Sequence, residues 1–178
     1  MRRVLVTGFE PFGDNDVNPS ALIAEAFDGV VLPVSFERAA TELRRAIDER
    51  EPDLAVCFGL AADRSAVSVE RFAHNLDDAS TSDNDGKPGS GGPIDPDGAL
   101  ALSSTLPVDA IVAALRADAI PAEVSRDAGG YLCNHIFSVL MQARASARAI
   151  VDSMAVHPTL AEGVQSVVMT LDRFAPRS

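Results

Sequence analysis

The 178-residue chain carries 26 acidic against 15 basic side chains, a formal charge of −11, and 47% of its residues are apolar. That composition excludes wholesale disorder, and it excludes a nucleic-acid surface, which needs clustered Lys and Arg. The length suits one domain over 1–178, long enough to bury roughly two-thirds of its unfolded surface.

Val4 to Thr7 reads as a buried strand closed by Gly8. Gly8 to Ser20 is a Gly/Pro/Asn/Asp loop that also holds Phe9 and Phe12. Pro19 suits a helix start, and Ala21 to Phe27 continues it. Val30 to Val34 is a second apolar run. Phe36, Ala39, Ala40, Leu43, Ala46 and Ile47 then fall on one face of a helix that Pro52 closes. Leu54 to Phe58 is a third buried strand, ended by Gly59, and Ala66 to Phe72 is a further strand candidate.

From Leu76 to Gly98 the composition turns to Asp, Ser, Gly and Pro, a loop long enough to suggest function. Val108 to Ala117 has a helical face of Ile111, Val112 and Leu115. Ala122 to Val124 is a short strand. Leu132 to Arg148 is a helix, Ala149 to Val156 a strand, and Gly163 to Phe174 a last helix. Alternating strands and helices predict an α/β domain, a three-layer α/β/α sandwich around a central mixed, mostly parallel sheet. Ligands of such sheets bind in loops at strand ends, where Gly8, Gly59 and His157 lie.

No run approaches a membrane span, and the apolar Val4-Leu5-Val6 run is too short for a signal peptide. Two cysteines, Cys57 and Cys133, form no disulfide framework. The expectation is a cytoplasmic protein.

Cys133 draws the most attention. It lies in Ala128-Gly129-Gly130-Tyr131-Leu132-Cys133-Asn134-His135, where a polar stretch passes into a helical pattern. A thiol just inside a helix N-terminus meets unpaired N–H groups and the positive end of the dipole, which favour the thiolate nucleophile. His157 is a candidate base, and Glu70 a candidate orienting acid. Each has a structural alternative: a buried helix cysteine, a turn histidine before Pro158, and a surface pair of Glu70 with Arg71. Cys57 reads as core. His135 beside Cys133 tempts a zinc reading, but two further ligands at metal spacing are missing. Asp83-Asn84-Asp85-Gly86 fails as a calcium loop, because Gly92 stands where the closing glutamate is needed. Phe9 and Phe12 either plug the sheet end or line a pocket.

Together these segments resemble the pyroglutamyl peptidase type I family of cysteine peptidases. Val4-Leu5-Val6-Thr7-Gly8-Phe9-Glu10-Pro11-Phe12-Gly13 and Val17-Asn18-Pro19-Ser20 look like its opening signature. Val69-Glu70-Arg71-Phe72-Ala73-His74-Asn75 is similar to its glutamate segment, Asp83-Asn84-Asp85-Gly86 to part of its long loop, and Ala128 to His135 to its nucleophile motif. The resemblance implies Cys133 as nucleophile, His157 as base and Glu70 as orienting acid. It implies Phe9, Phe12 and Tyr131 around a lactam ring, Asn18 reading the ring amide, and Leu60 at the turn after the third strand. The implied activity is that of an omega peptidase acting on pyroglutamyl peptides through an acyl-thioenzyme, with no metal or organic cofactor. A homodimer or homotetramer is implied as well.

The chain departs from the family pattern in several places. Ala62-Asp63-Arg64 replaces Gly-Gly-Arg, Leu60 replaces Gln, and Ser80 stands where Arg is usual. The segment after His157 lacks the His-x-Pro-Tyr/Phe pattern, and the closing segment is short. These departures keep two rivals open: an amide hydrolase with an altered substrate, and a binding protein that has lost turnover.

Overall fold

A computed structural model describes residues 3–61, 64–146 and 152–157. The elements are β1 (Val4–Phe9), α1 (Pro19–Ala26), β2 (Val30–Leu32), α2 (Phe36–Arg50), β3 (Leu54–Phe58) and β4 (Val67–Glu70). They continue as β5 (Phe72–His74), β6 (Ala101–Ser103), α3 (Val108–Ala117), β7 (Ala122–Ser125), α4 (Leu132–Ser146) and β8 (Asp152–His157). Among the described residues six strands form one sheet in the order β2-β1-β3-β8-β4-β7. Neighbours run parallel except β4 and β8, which are antiparallel with Ser68 opposite His157. The expected mixed, mostly parallel sheet is therefore what forms.

Strand alternation builds the layers. Val6, Leu54, Val56, Phe58, Val67 and Val69 pack with Ile23 and Ala24 of α1 and with Ile111, Val112 and Leu115 of α3. The intervening Leu5, Ala55 and Cys57 pack on the other face, against Ala39, Leu43 and Ile47 of α2 and Ile136, Val139 and Leu140 of α4. The same alternation along β4 turns Ser68 and Glu70, both fully buried, away from the α1/α3 side and toward the face that carries α4.

Several boundaries differ from the sequence reading. The single strand predicted over Ala66 to Phe72 breaks at Arg71 into β4 and β5, because the two pair with different partners. β5 leaves the main sheet and makes an antiparallel ribbon with β6, a strand the periodicity did not show: three residues are too few to display alternation. Leu54–Phe58 and Val108–Ala117 form over the predicted residues. Of the strand predicted over Ala149 to Val156, the part from Asp152 forms β8, and residues 149–151 lie outside the described residues. The helix predicted over Gly163 to Phe174 lies outside them.

Candidate active site

β1 lies between β2 and β3, so the chain leaves it toward one side of the sheet and returns on the other. A crevice opens outside the carboxyl ends of strands at such a reversal. Gly8 tightens its floor. A Cβ there would stand 1.8 Å from the Ser20 carbonyl oxygen, so only glycine lets β1 run this close to the start of α1. Across that contact the Phe9 N–H donates to Ser20 Oγ at 2.9 Å. Asn18 caps α1: its Oδ1 accepts from Ser20 N at 3.1 Å and Ser20 Oγ at 2.8 Å, while its Nδ2 donates to the Glu10 carbonyl at 3.1 Å. The cap thus also ties down the loop bearing Phe12.

A small pocket forms here, lined by Phe9, Phe12, Asn18, Val34, Leu60, Tyr131, Leu132 and Cys133. All five candidate binding residues surround the candidate nucleophile. Phe9 is buried as a plug would be, yet it also forms a wall, so the two readings of the aromatic loop merge. Val34 and Leu132 are lining residues that the sequence reading placed in a strand run and a helix but not at the site. A larger cleft of ≈ 670 Å³ opens beside Gly129 and Gly130, between His74, Leu76, Asp78 and Leu100. Its lining holds no thiol or hydroxyl, so size does not make it the site.

The His135 N–H donates to the Tyr131 carbonyl at 3.0 Å, which makes Tyr131 the residue flanking α4 and puts Cys133 at its second helical position. The first N–H groups of a helix have no intrahelical acceptor. Cys133 is half-buried beside them. Cys57, by contrast, is enclosed by the sheet, and burial pushes its thiol up to about 12, with Thr7 as a lesser, opposing influence. That supports its reading as core.

Three ring contacts shape the mouth. Tyr131 lies 6.1 Å from Phe12 and meets Phe36 edge-on at 5.6 Å. Phe36 in turn meets His135 edge-on at 5.4 Å. The sequence placed Phe36 only on the apolar face of α2. The Tyr131 hydroxyl donates to the Ser82 carbonyl at 3.1 Å. Burial, followed by the Asp83 carboxylate, raises the phenol above its usual range, so the hydroxyl remains a donor.

The long loop between β5 and β6 is held to α4 by side chains the sequence left unassigned. Asn134 is fully buried; its Nδ2 donates to the carbonyls of His74 at 2.8 Å and Leu76 at 2.9 Å, and its Oδ1 accepts from His74 N at 2.8 Å. His135 Nδ1 lies 2.9 Å from both oxygens of the buried Asp77. A carboxylate only accepts, so Nδ1 carries the proton. This pairing occupies Nδ1 of His135, and among the described residues no group of three or more His, Cys, Asp and Glu is placed to hold a metal ion. Asp83 serves as a clamp: its Oδ2 accepts from Phe36 N, and its Oδ1 from Asp85 N and Lys87 N. Ser80 stands exposed on this loop.

Glu70 corrects the surface-pair alternative. Its side chain is fully buried and accepts from Arg64 Nη1 at 2.7 Å, whereas Arg71 reaches Asp109 at 2.6 Å. His157 ends β8, and its backbone stands opposite Ser68, two residues from Glu70 on the neighbouring strand.

A sequence model of the pyroglutamyl peptidase family matches residues 2–167. The chain belongs to the pyroglutamyl peptidase family. It is 45% identical over 146 residues to the pyrrolidone-carboxylate peptidase of Thermococcus litoralis, covering 76% of this chain and 66% of that relative. It is 41% identical over 151 residues to that of Bacillus cytotoxicus, covering 79% and 70%. The stretch shared with the first of these thus spans about two-thirds of that relative's length.

Among solved structures, the fold matches pyrrolidone carboxyl peptidase from T. litoralis with a TM-score of 0.91 and 32% identity, over 100% of this chain and 99% of that one. It matches Bacillus amyloliquefaciens pyroglutamyl peptidase I with a TM-score of 0.88 and 30% identity, over 98% and 95%. Pyroglutamyl peptidases are cysteine peptidases, and the departures at Leu60 and Ser80 stand within this family's fold.

Proposed function

We propose that this pyroglutamyl peptidase removes an N-terminal pyroglutamyl residue from peptides, with Cys133, His157 and Glu70 as its catalytic set. The observation that carries the proposal is the pocket that brings Phe9, Phe12, Asn18, Leu60 and Tyr131 around the Cys133 thiol. Pyroglutamate is a flat, uncharged lactam. Aromatic faces suit its ring. Asn18 spends its Oδ1 on Ser20 and one N–H on Glu10, and the second N–H of its amide is the donor we assign to the lactam carbonyl. A free α-ammonium meets no carboxylate among the described residues that line the pocket, so desolvating it there is costly. That difference selects the blocked N-terminus.

The Cys133 sulfur attacks the pyroglutamyl carbonyl carbon, and His157 holds the thiol proton. The oxyanion rests on N–H groups at the start of α4. Collapse of the tetrahedral species breaks the C–N bond, and His157 gives its proton to the departing amine. Water then attacks the thioester with His157 as base, releasing pyroglutamic acid and restoring the thiol. Glu70 fixes the imidazole tautomer and stabilises its cation.

The reading extends to one domain over 1–178 and to a cytoplasmic homodimer or homotetramer; the structural match along the whole chain supports the former. No helix among the described residues is long and apolar enough to cross a membrane.

The test is hydrolysis of a fluorogenic pyroglutamyl amide by wild type and Cys133→Ser, with the prolyl analogue as control. Selective cleavage by wild type alone is expected. Equal cleavage of the prolyl substrate would overturn the specificity, and activity in Cys133→Ser would overturn the nucleophile.

A further inference from the structure

We infer that Arg64 is the positioning residue for Glu70 and joins the acid to both the turn bearing Leu60 and the loop entering the nucleophile helix. The inference rests on the reading of Glu70 as the orienting acid.

The geometry is a fork. Arg64 Nη1 donates to Glu70 Oε1 at 2.7 Å, and Nη2 donates to the Asp127 carbonyl at 2.9 Å. The Arg64 side chain is 24% exposed and that of Glu70 is 0% exposed, so the pair lies in a poorly solvated place. A carboxylate taken that far from water needs a cation, and its neighbour in sequence, Arg71, is committed to Asp109.

The backbone of the same residue closes a turn, with Arg64 N donating to the Ala61 carbonyl at 3.2 Å, directly after the pocket residue Leu60. Asp127 then accepts from Gly129 N through its Oδ1, two residues before Tyr131. One guanidinium therefore spans the acid, the pocket turn and the approach to Cys133. A lysine can neutralise the acid but cannot fork to both acceptors in one plane.

The experiment measures kcat and KM on the pyroglutamyl amide for Arg64→Gln, Arg64→Lys, Glu70→Gln and the Arg64→Gln/Glu70→Gln pair. Circular dichroism and thermal melts check folding. Arg64→Gln is expected to lower kcat by about 10- to 100-fold, the order of loss seen when a hydrogen-bond partner that orients a metal ligand is removed. Its KM should stay within about twofold, because the lactam contacts are untouched. Arg64→Lys should recover part of kcat. In the Glu70→Gln background, Arg64→Gln should cost nothing further, since it acts through Glu70.

Added guanidinium at sub-denaturing concentration should partly restore kcat in Arg64→Gly without shifting its melt, which separates positioning from a merely structural role. Wild-type kcat in Arg64→Gln alongside a slowed Glu70→Gln would overturn the inference and leave the catalytic set standing. Wild-type kcat in Glu70→Gln would overturn both. Fully multiplicative losses in the double variant would show that Arg64 acts elsewhere. If Arg64→Gln does not fold, Arg64→Lys decides: partial kcat supports the inference, and unchanged kcat overturns it.

Discussion

Asp77→Ala probes how the long loop is held over the site. The variant removes the carboxylate that His135 Nδ1 approaches at 2.9 Å on both oxygens, in a pair whose side chains are 10% and 7% exposed. His135 Nε2 is already buried without a partner among the described residues, so the variant strands both ring nitrogens. Breaking a buried pair by removing one member costs about 3–5 kcal/mol. Taking about 3 kcal/mol and a urea slope of about 2 kcal/mol/M, the unfolding midpoint should fall by about 1.5 M. The control is Glu37→Gln, which breaks the 3.0 Å Lys87–Glu37 pair whose side chains are 60% and 77% exposed. That change should stay within about 0.5 kcal/mol. The loop also supplies the Ser82 carbonyl to Tyr131 and Asp83 to the start of α2. Hydrolysis of the pyroglutamyl amide should therefore show a raised KM in Asp77→Ala. A midpoint shift no larger than that of the Glu37→Gln control would refute the reasoning, because the buried pair would then contribute nothing that an exposed one does not.

Asn134→Asp places an acceptor-only group against the carbonyls of His74 and Leu76, and chemical denaturation should show a loss of several kcal/mol, roughly two donor bonds plus repulsion. Gly8→Ala forces a Cβ against the Ser20 carbonyl, so soluble yield and melting temperature should both drop; an unchanged melt would mean that β1 and α1 separate freely. Asn18→Ala removes the α1 cap and should cost about 1 kcal/mol of stability, with a rise in KM for the lactam substrate. Alkylation of the native protein at neutral pH should modify Cys133 and spare Cys57, whose buried thiol is pushed up to about 12. Mass spectrometry reads this directly, and equal labelling of the two would contradict the enclosed position of Cys57.

Much of the architecture was legible from local pattern, because it is produced by local forces. Leu54–Phe58 is apolar throughout since both faces of an interior strand are covered, and Val108–Ala117 shows its buried stripe at helical spacing. The nucleophile motif and the aromatic loop were legible through resemblance, and the pocket collects those same residues. What only the tertiary structure decided is how distant polar groups are partnered. Glu70 has Arg71 beside it in sequence, yet adjacent strand residues point to opposite faces, and the buried acid meets Arg64 instead. His135 sits two residues from the thiol but spends itself on Asp77, 58 residues away, and Asn134 on His74 and Leu76. No periodicity encodes such pairs: they follow from packing the long loop against α4, where each buried donor and acceptor must find whatever partner the fold brings within reach.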